Sequence, residues 1–152
     1  RHHQPVATVI DEPLRALRQL GIWVSAPCGN HGYTDGISWP ACQPHCIGVG
    51  ATIPGQHKAH LDRFTNPDLL VAAAATSSSN ACAAACSMIL REAIDQASYA
   101  WQGDGPTLTE ALLAIFQLTG VSIEDPQTET TFRELDLLAA VDYVLGEGGR
   151  VN

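Results

Sequence analysis

Three short apolar runs set the limits on what this chain can fold into: IWVSA (Ile22–Ala26), CIGVGAT (Cys46–Thr52) and DLLVAAAA (Asp68–Ala75). Each is too short and too uniformly apolar for a surface helix, and each reads as a buried strand. Helical patterns lie around them. From Pro5 to Leu20, apolar residues recur at helical spacing, with Gly21 as a stop. A small-residue helix is expected over Asn80–Gln96, and an amphipathic one over Thr107–Gly120, where Thr107 and Glu110 have capping-box spacing. A last helix is expected over Arg133–Gly146. Strands alternating with helices predict an α/β fold: a mostly parallel sheet flanked by helices. The 152 residues suit one domain. We place it over residues 1–147, with 148–152 as a tail.

The formal net charge is -8, from 16 acidic and 8 basic residues. A nucleic-acid footprint needs clustered Lys and Arg, so no nucleic-acid partner is expected. The acidic excess is late: from Glu92 onward there are eleven acidic residues against Arg133 and Arg150. A solvated acidic face accounts for it. No apolar run approaches the length of a membrane span, and no membrane association is expected. The abrupt opening at Arg1, a few residues before a helical pattern, reads as the interior of a longer protein.

Five cysteines (Cys28, Cys42, Cys46, Cys82 and Cys86) make an odd count without a dense framework, unlike a disulfide scaffold. The pairs Cys42/Cys46 and Cys82/Cys86, with His45 inside the first, raise the possibility of a zinc site. Cys82 and Cys86 fall in an Ala-rich helical run, where cysteine behaves as a small hydrophobe.

Two segments carry chemistry. In open α/β sheets ligands gather beyond the carboxyl ends of the strands. Asn30 stands just past one such end, flanked by Gly29 and Gly32, and Ser77, Ser78 and Ser79 stand past another. A serine at a helix N-terminus lies beside unpaired N–H groups and the positive end of the dipole, a setting suited to an oxyanion. An ordinary turn at Asn30 and an ordinary N-cap at the serines are the plain alternatives.

Taken together, these segments resemble the C-terminal half of a subtilisin-like serine protease (subtilase) catalytic domain, over about residues 5–145. GIWVSAPCGNHG (Gly21–Gly32) resembles the family's strand and its Ala-Gly-Asn-x-Gly loop. SWPACQPHCIGVGAT (Ser38–Thr52) resembles its Tyr-Pro-Ala…Val-Gly-Ala segment. ATSSSNACAAACSMIL (Ala75–Leu90) resembles its Gly-Thr-Ser helix. The resemblance implies a three-layer sandwich, with Asn30 as an oxyanion donor and Ser77 as the nucleophile. Ser79 is the rival nucleophile, because Ser79-Asn80-Ala81 also matches a form of the motif. Placing the nucleophile at Ser77 puts Ala81, Ala84 and Ala85 at recurring helical positions suited to packing beneath the sheet. Ala75, Ala81 and Cys82 depart from the family's Gly, Pro and His, and the usual loop and hairpin before the serine are nearly absent. Ser25, Ala26, Pro27, Cys28 and Gly29 would line the substrate cleft, with Pro27 and Cys28 in a wall of the primary specificity pocket. That wall would favour a modest substrate side chain.

A serine peptidase also needs a His to accept the serine's proton and an Asp to orient that His. His31 and Asp35 stand in the wrong order and too close together, and read as loop residues. The resemblance therefore implies that upstream sequence supplies Asp and His, and that this segment alone is inactive. It implies a polypeptide substrate and no cofactor, although the family also admits calcium, for which no site is identifiable here. The reading is a serine endopeptidase working through an acyl-enzyme. Its rivals are a catalytically inactive binding or scaffold domain and a zinc-stabilised domain using Cys42, Cys46, Cys82 and Cys86.

Overall fold

The computed structural model describes residues 1–64 and 67–148. The tail expected over 148–152 lies outside them beyond its first residue. The chain runs α1 (Asp11–Gln19), β1 (Ser25–Pro27), β2 (Ile47–Ile53), β3 (Lys58–His60), β4 (Leu69–Ala72), α2 (Thr76–Ala97), α3 (Leu108–Thr119), β5 (Val121–Asp125), β6 (Thr130–Glu134) and α4 (Leu137–Gly148). The sheet has the order β1-β2-β4-β6-β5, with β3 pairing β2 off this path. β1, β2, β4 and β6 are mutually parallel, and β3 and β5 run antiparallel to their neighbours.

The parallel register sorts the side chains. Ile47, Val49 and Leu69 share one face with Ser25 and Pro27, while Gly48, Gly50 and Leu70 share the other with Ala26. On the first face Ile47, Val49 and Leu69 pack with Ala83, Leu90 and Ile94 of α2, Leu112, Ile115 and Phe116 of α3, and Ala140 and Val144 of α4. Each large side chain buried there contributes about 1.5–3 kcal/mol. The opposite face is covered at the β1 side by Leu14 of α1 with Ile37, Ala41, Cys42 and Cys46, and at the β6 side by Ile123 and Phe132. Close cover is possible there because the strand carries no side chain at Gly50, where a Cβ would run into Pro67 and Leu70. The result is the expected α/β architecture, with a mostly parallel sheet flanked by helices.

The element limits differ from the expectation in informative places. α1 starts at Asp11 rather than Pro5, because Asp11 turns back to accept from Thr8 N–H (2.8 Å) and the Thr8 hydroxyl (2.9 Å). α2 starts at Thr76, so the three serines lie in its first turn and not in a preceding loop. Its buried face is Thr76, Ser79, Ala83, Ser87, Leu90 and Ile94. Ala81 and Ala85 are exposed and Ala84 half-buried, so the packing expected of those three alanines beneath the sheet is corrected. Thr107 caps α3 as its spacing predicts, accepting from Glu110 N–H at 3.4 Å. The helix expected from Arg133 is instead a strand end followed by a helix, with Asp136 capping α4 through Ala139 N–H (3.0 Å). Among the described residues no helix is long and apolar enough to cross a membrane.

Candidate active site

The carboxyl end of β1 and the N-terminus of α2 meet through three hydrogen bonds. Thr76 N–H and the Thr76 hydroxyl both donate to Asn30 Oδ1, at 2.8 and 3.0 Å, and Gly29 N–H donates to the same hydroxyl at 3.1 Å. Only the amide oxygen can accept from a backbone N–H, so these bonds fix which end of Asn30 points inward. The NH2 group makes no hydrogen bond among the described residues, and Asn30 is exposed.

The first turn of α2 completes the arrangement. The early N–H groups of a helix have no partner within it. Here Thr76 N–H goes to Asn30, and Ser78 and Ser79 N–H go to Ala75 O, both at 3.1 Å. Ser77 N–H alone in this turn has no acceptor among the described residues. The Ser77 side chain is exposed. A hydroxyl, an unpaired backbone N–H and an unbonded amide NH2 thus lie within two adjoining segments, at the positive end of a 22-residue helix. The sequence pointed to Asn30 and Ser77, but it did not reveal Thr76 as the residue that orients the amide. The only trace of that role was the Thr beside the Ser.

Ser79 is placed differently. It is fully buried, and its hydroxyl donates to Val71 O (3.0 Å) and approaches Ala75 O (3.4 Å). Its role in the fold is to tie α2 to β4.

Asp62 is a second residue the sequence did not single out. Its carboxylate, entirely buried, accepts from His31 N–H (2.7 Å) and Tyr33 N–H (3.1 Å) through Oδ1. His31 Nδ1 lies 3.3 Å from Oδ2, and the exposed His31 ring stacks on Tyr33. Asp35 pairs with Arg1 at 3.0 Å, so His31 and Asp35 do not face one another. His60 donates to Ala73 O (2.9 Å) and His57 sits 3.0 Å from Glu134.

The expected cleft residues divide by face. Ser25, Pro27 and Gly29 are half-buried, whereas Ala26 and Cys28 are buried against Leu14, Ala41, Cys42 and Cys46. Cys28 contributes to the core, which corrects its expected place in a pocket wall, while Pro27 and Gly29 stay partly accessible. Burial, with Asp68 and Asp62 nearby, pushes the Cys28 thiol well above its ordinary value, and burial raises Cys46 to about 11. Both are inert as nucleophiles near neutral pH. The zinc set is not assembled: Cys42 and Cys46 are buried on one side of the sheet, while Cys82 and Cys86 lie on α2 on the other. Among the described residues no group of three or more His, Cys, Asp or Glu side chains is disposed to hold a metal ion.

The chain is similar in structure to the self-cleaved protease domain of PatA, with a TM-score of 0.71 and 16% identity over 96% of this chain. It is also similar to the prenylagaramide maturation protease PagA, with a TM-score of 0.70 and 15% identity over 95% of this chain. It has the fold of a protease domain. The chain spans 58% of the length of each of these two. No family model and no curated protein matches the sequence. Membership of the subtilase family, read from the motifs, is therefore corrected: what is found is a remote structural relation to these two protease structures, and it carries the fold.

Proposed function

We propose that this chain carries the nucleophile and the oxyanion donors of a serine endopeptidase. The observation that supports this most is the pinning of Asn30 Oδ1 by Thr76, the residue next to the exposed Ser77, which leaves the amide NH2 of the exposed Asn30 free to donate. Ser77 Oγ adds to the scissile carbonyl carbon as its proton passes to a general base. Asn30 NH2 and Ser77 N–H then donate to the carbonyl oxygen as it gains charge. The proton moves on to the leaving amine, and water hydrolyses the acyl-enzyme ester. The base and its orienting carboxylate come from elsewhere in a longer protein, so the chain alone is expected to leave peptide bonds intact. The substrate is a polypeptide, passing along the Pro27–Gly29 side of the cleft.

A fluorophosphonate probe on the longer protein tests this. It forms a stable adduct with an activated serine, and peptide mapping is expected to find the adduct on Ser77. An adduct on another serine refutes the assignment. A second reading, a binding or scaffold domain without catalysis, is favoured by the engagement of His31, His57 and His60 with partners other than Ser77. The absence of any serine adduct selects it.

A further inference from the structure

We infer that Asp62 is a positioning residue for the oxyanion amide, acting on Asn30 through the backbone on both sides of it; this rests on the reading of Asn30 given above. Asn30 stands on a five-residue loop, Gly29–Tyr33, that is held from two directions. From α2, Thr76 grips the side chain and Gly29 N–H. From beneath, Asp62 grips the main chain. Its N–H donates to Gly29 O (3.2 Å), while Oδ1 receives the N–H groups of His31 and Tyr33. Asn30 is therefore bracketed by Asp62 contacts at the residue before it, the residue after it and the third residue after it. Two N–H donors converging on one carboxylate oxygen are charge-assisted bonds, roughly twice as strong as neutral ones.

The local backbone is shaped to receive this carboxylate. Gly29 has φ +117°, where an L side chain is strained, and a Cβ there would collide with Asp62 Oδ2. The residue after Asp62 is clamped too. Arg63 N–H donates to Tyr33 O (2.8 Å), and the Arg63 guanidinium donates to Asp125 (2.6 and 3.3 Å) and to Gln127 at the β5–β6 turn. Asp62 thus sits at a fixed point between the Asn30 loop and the sheet. A plain surface turn at Gly29–Tyr33 needs no buried carboxylate, since water would satisfy its N–H groups.

The experiment uses the longer protein and reads both the labelling rate at Ser77 and steady-state kinetics. Misplacing a catalytic group by about 1 Å costs up to about 100-fold, so Asp62→Ala is expected to lower kcat about 10- to 100-fold. KM should stay within about twofold, because the oxyanion contact forms mainly in the transition state. Asp62→Asn keeps an oxygen for both N–H groups and should recover most of that loss. The deciding result is the double variant: Asp62→Ala with Asn30→Ala should be no slower than Asn30→Ala alone, because Asp62 acts only through Asn30. If Asp62→Ala does not fold, Gly29→Ala displaces the same carboxylate, together with the Ser38 hydroxyl, and should show a kcat loss of the same size, absent once Asn30 is Ala. Additive losses overturn the inference, as does wild-type kcat in the folded Asp62→Ala or Gly29→Ala variant. Failure of the wild-type protein to label at Ser77 refutes the peptidase reading itself.

Discussion

Replacing Thr76 by Val removes one hydroxyl and leaves the shape of a fully buried side chain nearly unchanged. No cavity opens, so the effect isolates two hydrogen bonds. Gly29 N–H loses its acceptor at 3.1 Å, and Asn30 Oδ1 loses one donor at 3.0 Å while keeping Thr76 N–H at 2.8 Å. An unsatisfied buried polar group costs about 1–3 kcal/mol, and Gly29 is only half-buried, which places the loss toward the lower end. For a chain of this size each kcal/mol moves the midpoint by about 2–4 °C, so thermal unfolding by circular dichroism should shift down by about 2–6 °C. Labelling of Ser77 in the longer protein should slow, but less than the 10²–10³-fold expected for removing an oxyanion donor outright, since one anchor survives. Thr76→Ser keeps the hydroxyl and should label at close to the wild-type rate. A Thr76→Val protein that melts and labels like wild type would refute the claim that this hydroxyl holds the loop and orients Asn30.

Two further substitutions separate structure from chemistry. Ser79→Ala deletes a hydroxyl bonded to Val71 O and should cost about 1 kcal/mol by chemical denaturation while leaving the Ser77 labelling rate unchanged; lost labelling would return Ser79 to the site. Burial pushes the Asp125 carboxyl up, but the hydrogen bonds from Arg63 and Thr128 outweigh it and hold the group below its ordinary value. A carboxyl lowered in the folded state gives stability that is present above its unfolded value, about 3.9, and is lost as pH falls through the lowered one. Asp125→Asn should therefore flatten the fall in stability below about pH 4, and an unchanged acid profile would contradict the role given to this pair.

β2 and β4 were legible because each lies within a continuous apolar run, whereas β1 occupies Ser25–Pro27 and shares only Ser25 and Ala26 with the expected strand Ile22–Ala26. Ile47, Val49, Leu69 and Leu70 fall within the expected strands. The β5–β6 hairpin was not legible. Its second strand, TTFRE, abuts the helical pattern of LDLLAAV, and Arg133–Glu134 were absorbed into that helix. α2 was expected four residues late because a run of serines reads as a turn, although serine is equally at home in the first turn of a helix. Asn30 and Ser77 were singled out through the resemblance of their segments to subtilase motifs, since a glycine-flanked Asn or a serine at a strand-to-helix junction alone reads as a turn or an N-cap. Asp62 could not. It is one acidic residue in a polar loop, and its function depends on N–H groups about thirty residues earlier that no local pattern reveals.

That distance bears on how the protein folds. The bonds that build the Asn30 loop join residues 29 to 47 positions apart in sequence. None belongs to a helix or a hairpin that forms early and alone, and the loops they close are entropically expensive until the sheet is in place. The helices should appear within the first kinetic phase of refolding, with the loop still open. Ser77 would then gain its neighbours only when β1, β2 and β4 have paired. On the role proposed for Ser77, a nascent or half-unfolded chain would in this way hold an unarmed serine, and reactivity at Ser77 would report the arrival of the native state rather than of secondary structure.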